Sequence, residues 1–218
     1  MSEIRRKPLA GGVNIGLYEG DSRLAGLVLF DLTIRVGDCA VRCGCIGGVG
    51  TEPQYRGNGY ARLVMEDALA YMRESGMLLG ALFGIPNFYP KWGFASVLVE
   101  GTLEIETAHA LQAPAPLSVR AMRPEDIAAV IELYTRENAQ RSGTIVRRLD
   151  EWKGFRYGVS WNDNVAAYVV EDAGQVVGYA AYNSEPWHTQ VAEISGSREA
   201  LQSLVHRFGE SAHERCRE

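Results

Sequence analysis

Hydrophobic positions concentrate in two β-rich runs near the start of the chain, residues 13–19 and 24–34, with the polar Gly20-Asp21-Ser22-Arg23 between them. Two such runs around a short polar loop predict a β-hairpin. A second turn, Val36-Gly37-Asp38, leads into a third β-rich run over 40–51. Gly44, Gly47 and Gly48 lie inside that run, where they predict a bulge or a place where another molecule approaches the backbone. The period then lengthens to that of a helix. Over 59–75, Ala61, Val64, Met65, Ala68 and Met72 form one apolar stripe while Arg62, Glu66, Asp67, Arg73 and Glu74 lie off it, with Gly76 placed to cap the end. Residues 77–83 are continuously apolar between two glycines, as in a strand buried on both faces. Strand, helix and strand make a βαβ unit with a right-handed crossover. A short helical segment over 87–92 and a run over 94–106 complete it.

Residues 109–116, HALQAPAP, are rich in Pro and Ala and read as a linker. A fresh cycle follows. Residues 117–122 predict a strand, and Pro124 stands at the first position of a helix carrying Ile127, Val130, Ile131 and Tyr134 on one side. Val146, Leu149 and Trp152 predict a second short helix. Residues 165–171 and 176–182 predict a hairpin around Asp172-Ala173-Gly174-Gln175, followed by a strand over 191–195 and a helix over 198–215. The two hairpins, NIGLYEGDSRLAGLVLFD and AAYVVEDAGQVVGYAAYN, resemble each other, which points to a tandem duplication.

Composition narrows the function classes. The 218 residues are 46% hydrophobic and 22% charged, ordinary for a soluble globular protein. No apolar run approaches the roughly 18 residues of a membrane span, and the basic start MSEIRRKPLAGG lacks the apolar stretch of a signal peptide. A cytoplasmic enzyme is therefore expected. Net charge is −5 without a basic cluster, which argues against nucleic acid as a partner. Cys39, Cys43, Cys45 and Cys216 lack zinc-type spacing, so no metal is expected; Cys43 and Cys45 share one face of a strand as small hydrophobes.

The informative stretch is Val49-Gly50-Thr51-Glu52-Pro53-Gln54-Tyr55-Arg56-Gly57-Asn58-Gly59-Tyr60-Ala61, where a strand ends and the long helix begins. Glycines at such a junction let amides converge, and the helix start adds a positive dipole, so an anionic phosphate is suited there. A dinucleotide-binding G-x-G-x-x-G is excluded because Arg62 stands where a small residue is needed, and no Lys-Ser/Thr pair completes a P-loop.

What the stretch does resemble is the Q-x-x-G-x-G pyrophosphate loop of the GNAT acetyltransferases, here Gln54, Gly57 and Gly59. Asn87-Phe88-Tyr89-Pro90-Lys91-Trp92-Gly93-Phe94 is similar to the N-x-F-Y-x-K-x-G-F segment of that family. The likeness covers residues 13–106 well and the second half more faintly, and it is nearest to the tandem-GNAT, Eis-like acetyltransferases. It implies an α/β GNAT (acyl-CoA N-acyltransferase) fold, a mixed sheet with a central βαβ unit, over 1–108, a linker at 109–116, and a partial, degenerate GNAT-like unit over 117–218.

The same resemblance implies roles. Backbone around Val49, Gly50 and Thr51 would pair with pantetheine of acetyl-CoA. Gln54 and the amides of Arg56, Gly57, Asn58, Gly59, Tyr60 and Ala61 would cradle the pyrophosphate, and Asn87 would bond the cofactor arm. Tyr89 would protonate the departing thiolate after an amine of a small molecule or protein attacks the thioester. Glu52, Cys43, Cys45 and Asp31 remain open as a general base, as does water. The family's opening strand and helices are missing before residue 13, and the second half has no Q-x-x-G-x-G. Residues 117–152 could cover the sheet edge this leaves, within the chain or across a homo-oligomer. A catalytically impaired CoA-binding or scaffold module is the alternative.

Overall fold

In the computed structural model, which describes residues 1–84, 87–97, 101–152, 155, 165–183 and 190–215, the chain divides into two units. One is Met1–Glu100 with Arg141–Val146, the other Gly101–Gln140 with Arg147–Glu218. The expected linker over 109–116 is entered through a short helix (Thr107–Ala110).

The first unit carries an element the sequence did not signal, β1 (Ser2–Leu9). It pairs antiparallel with β2 (Gly12–Glu19), the first strand of the predicted hairpin, whose second is β3 (Ser22–Val36). The charged residues of β1 hid it, yet they are what anchors it. Arg6 reaches the following helix, with Nε and Nη2 on the Asp67 carboxylate at 2.8 and 2.9 Å and Nη1 on Glu74 at 2.8 Å. Charge on an edge strand also discourages pairing with a foreign strand.

The third strand, β4 (Cys39–Thr51), runs antiparallel to β3, and α1 (Tyr60–Glu74) crosses to β5 (Leu79–Leu82), parallel to β4. Val64, Met65, Ala68 and Met72 of α1 are buried against Val13, Ile15, Leu27 and Leu29, the inward set of the hairpin. The helix ends as Gly76 predicts. Gly76 takes φ 71°, its N–H donates to the Arg73 carbonyl, and the Met77 N–H donates to the Met72 carbonyl.

Two expectations fail here. Residues 77–83 are not buried on both faces, since Leu78, Leu79 and Phe83 are exposed. Among the described residues no strand lies beyond β5, so β5 is an edge strand. Of the run expected over 94–106, residues 94–97 and 101–106 form no strand, and 98–100 lie outside the described residues.

Where β2 stops, a segment from far along the chain takes its place. The Asp31 N–H still bonds Gly11, but further on β3 pairs with Arg141–Val146. Arg35 donates to Thr144 at 2.8 Å, Gly143 to Arg35 at 2.7 Å and Val146 to Thr33 at 2.8 Å, around an Ile34–Ile145 bridge. The Gly37 N–H donates to Ser142 Oγ at 2.9 Å. The sheet edge beside β2 is taken by β1, and the part of β3 beyond β2 by this six-residue strap, which lies within the 117–152 stretch expected to act as cover.

The second unit is an antiparallel sheet of β6 (Ser118–Ala121), β7 (Val165–Asp172), β8 (Gln175–Asn183) and β9 (Gln190–Gly196). Two further helices, which with the short Thr107–Ala110 segment as α2 are α3 (Ile127–Glu137) and α4 (Arg198–Arg215), cover its opposite faces. Val170, Ala180 and Tyr182 meet Ala200, Leu204 and Phe208 of α4, while Val169 and Tyr179 meet Val130, Leu133 and Tyr134 of α3. Of the predicted face of α3, Val130 and Tyr134 are buried on its own sheet together with Leu133, while Ile127 and Ile131 are only half-buried. The helix expected near Val146, Leu149 and Trp152 is a turn, with Leu149 exposed. Its arginine carries the order instead. Arg147 makes 2.6 Å bonds to both carboxylate oxygens of Glu193, and its guanidinium lies 3.8 Å from the Tyr134 ring centroid. No helix among the described residues is long and apolar enough to cross a membrane.

Candidate active site

The parallel pairing of β4 and β5 is short. It joins Cys43–Ile46 to Leu79–Leu82, and β4 then runs on to Thr51 with no strand on that side among the described residues. On its other side β4 bulges. Val28 faces Gly47 but Gly26 faces Gly50, so three steps of β4 span two of β3, with Gly48 at φ 59°. The glycines that weakened the strand pattern make this bend. Backbone of Val49, Gly50 and Thr51 therefore extends past the end of β5, paired with β3 on one side and with no described strand on the other.

The chain leaves β4 through a single 3₁₀ turn, Pro53–Tyr55, and enters α1 through Gly57 and Gly59. Both glycines are left-handed, at φ 85° and 76°, and both look onto open space. They are required by conformation, not by crowding. The first amides of α1 have no acceptor within the helix, and the dipole adds positive potential at the same point. Asn58 braces the loop from behind, its Nδ2 donating to the Tyr55 carbonyl at 3.0 Å.

Beside this loop lies a cavity of about 200 Å³. Thr51, Arg56, Gly57, Gly59, Tyr60 and Ala61, all expected from the sequence, line it together with Arg62, Phe88 and Lys91, which were not. A signal for these three existed. Arg62 is an off-stripe residue of the first helical turn, and Phe88 and Lys91 stand inside the second motif. Val49, Gly50, Gln54, Asn58, Asn87 and Tyr89 do not line this cavity. Val49 and Tyr89 instead belong to one apolar cluster around α1, and Gln54 is exposed.

The second motif is a compact aromatic knot. Asn87 takes φ 64° and Gly93 φ 89°, so the two residues at its ends turn the backbone left-handed. Between them Tyr89 is buried, its ring 5.0 Å edge-on from Phe88 and 6.2 Å from Phe94. A Cβ on Gly84 would stand 2.2 Å from Tyr89 Cε2, so only glycine fits there. Among the described residues the Tyr89 hydroxyl has no hydrogen-bond partner. Burial pushes its pKa above the ordinary tyrosine value, which keeps the phenol protonated.

The open choices for a general base separate. Asp31 is engaged by Arg42, Nε to Oδ1 at 2.9 Å, and Glu52 is exposed. Cys43 and Cys45 do share a face, with their sulfurs 4.0 Å apart. The contact lowers the Cys43 pKa and raises that of Cys45. The equivalent turn in the second unit has a structural use. Gly196 lets β9 pass close to β8, since its Cβ would meet Gly178 Cα at 2.6 Å, and Ser197 Oγ caps α4 at the Ala200 N–H.

Residues 1–97 match the family model of the acetyltransferase (GNAT) domain. Among solved structures the chain is similar to a GCN5-related N-acetyltransferase from Kribbella flavida, at 24% identity and TM-score 0.67, covering 92% of this chain and 50% of that one. A GCN5-related N-acetyltransferase from Anabaena variabilis matches at 21% identity and TM-score 0.67, over 92% and 53%. A probable N-acyltransferase from Enterococcus faecalis matches at 16% identity and TM-score 0.69, over 98% and 63%. The fold is GNAT-type, α/β with a mixed sheet, and the chain spans 50 to 63% of the length of these structures. No curated protein matches the chain by sequence.

Proposed function

We propose that this chain is an N-acetyltransferase that moves the acetyl group of acetyl-CoA to a primary amine of a small molecule or protein. One juxtaposition carries the reading. The bulged end of β4, which runs on past the end of β5, leads within a few residues into a left-handed glycine loop at the start of α1, beside a cavity lined by Arg56, Arg62 and Lys91. The donor set fits an acylated carrier bearing phosphates. Free strand backbone at Val49–Thr51 would hold an amide-containing arm, and converging amides with cationic side chains would hold the phosphates. Acetyl-CoA when bound supplies the activated acyl group as a thioester. Tyr89, kept protonated, would donate its hydroxyl proton to the sulfur that leaves. The second unit, with hairpin, third strand and helix in the same order as the first, is read as a partial, degenerate repeat without a second cofactor site.

The test is release of CoA from acetyl-CoA in the presence of polyamines, aminoglycosides and amino-terminal peptides, compared with hydrolysis alone. Turnover with an amine is expected; tight binding without turnover would instead identify a CoA-binding module. Thermal shift on adding CoA checks the loop. Gly59→Glu should abolish the shift, because its carboxylate would enter the phosphate region and its side chain is strained at φ 76°. Gly59→Asn tolerates the left-handed backbone, brings no charge, and should retain most of the response.

A further inference from the structure

The cavity at the start of α1 is lined by three cationic side chains and no carboxylate. That is more positive charge than a diphosphate diester needs, since each of its phosphorus centres carries one negative charge and the loop amides and helix dipole already face it. The three cations are not equivalent. Arg62 is partly neutralised by Glu66, Nε to Oε1 at 2.7 Å, and Arg56 Nε bends back toward the Thr51 carbonyl at 3.4 Å. Lys91 has no carboxylate partner among the described residues. Its ammonium lies 4.4 Å over the Phe88 ring and 4.3 Å over the Trp92 ring, contacts that hold the flexible stem in place before any ligand arrives.

A cation held ready in this way suits a doubly charged phosphate monoester, which carries about −1.5 to −2 at neutral pH. We infer that Lys91 reads the 3′-phosphate of coenzyme A and makes the site distinguish the full coenzyme from its dephospho form. This rests on the acyl-CoA reading above. In coenzyme A the monoester sits on the ribose, apart from the diphosphate, and dephospho-CoA differs only in lacking it. A lysine suits this task as a point charge, and the adjacent rings provide the orientation that an arginine fork would provide by its own shape.

Calorimetric titration of the full chain with CoA and with dephospho-CoA tests the inference. The parent should bind CoA on the order of ten- to a hundredfold more tightly, the range of one charge-assisted hydrogen bond. Lys91→Gln should bring that ratio close to one by weakening CoA far more than dephospho-CoA, and Lys91→Arg should restore most of the preference. Equal affinity of the parent for both ligands overturns the inference and leaves the acyl-CoA reading standing. So does a Lys91→Gln variant that weakens both ligands alike, or one that keeps the full preference. Binding of neither ligand by the parent overturns the acyl-CoA reading and the inference with it. The comparison on the parent needs no variant, so it decides even if a substitution disturbs folding.

Discussion

Tyr89 serves as packing and as proposed acid at once, and the two roles separate experimentally because one uses the ring and the other the oxygen. The ring fills space that Gly84 leaves open and meets Phe88 and Phe94. Tyr89→Phe keeps those contacts, so CoA affinity should stay near that of the parent while turnover falls by roughly 10²–10⁴ if proton donation limits the rate. A pH profile adds a second check. An acid must be protonated to act, so turnover is lost as pH rises through its pKa. Burial raises that pKa, so the falling limb should lie above the ordinary tyrosine value near 10.0, and Tyr89→Phe should remove it. Unchanged turnover in the variant would assign Tyr89 to packing alone. Tyr89 was singled out because it stands in a motif with fixed neighbours, and the structure places it buried in the aromatic cluster of that motif. Arg62 was read only as a polar position off the helical stripe, since periodicity says which side a residue faces and not what cavity it borders.

Among the elements, those with a regular buried face were legible. The hairpins, α1, α3 and α4 all appear where their periodicity put them. β1 was not, because six of its eight residues are exposed and its fixing contacts are ion pairs to a helix some sixty positions away. β5 was misjudged for the opposite reason: its sequence is apolar throughout, but nothing described lies beyond it to bury the outer side. Turns carry their own strain. The β7–β8 hairpin closes through Ala173 and Gly174, both left-handed at φ 48° and 79°, the arrangement of a two-residue turn that favours Asn-Gly. Alanine is disfavoured there by roughly 1–2 kcal/mol. Ala173→Asn should therefore stabilise the protein by about 0.5–1 kcal/mol and raise the Tm by about 1–4 °C in thermal denaturation. A lower Tm would mean that the Ala173 side chain has contacts worth more than the strain.

At the scale of the whole molecule, the order of the chain and the division into units disagree. Residues 101–140 belong to one unit, and the chain then returns to the other for six residues before leaving again at Arg147. The sequence hinted only that something between 117 and 152 should cover an edge. It could not single out the strap, whose identity depends on backbone bonds to a strand about a hundred positions earlier. A fragment of residues 1–112 would keep α1, the glycine loop and the cavity but lose the strap. It should bind CoA more weakly than the full chain and self-associate through the bared part of β3, as sedimentation would show. A monomeric fragment with full affinity would make the strap dispensable. The opposite control is the full chain with Val146→Pro, which removes the N–H that donates to the Thr33 carbonyl and should lower stability without touching the cavity.

The strap also sets a timetable. Chains leave the ribosome from the amino terminus at about 5–20 residues per second, so the 46 residues between Glu100 and Val146 take roughly 2–9 s to synthesise. During that interval the first sheet is nearly complete while Leu32-Thr33-Ile34-Arg35-Val36 has one side unpaired. In composition that stretch is a β-rich apolar segment interrupted by one charge, Arg35, which acts as its gatekeeper against neighbouring nascent chains. Yield of soluble protein should then depend on Arg35 and on the rate of translation through 101–146, although neither Arg35 nor that stretch lines the cavity beside the glycine loop.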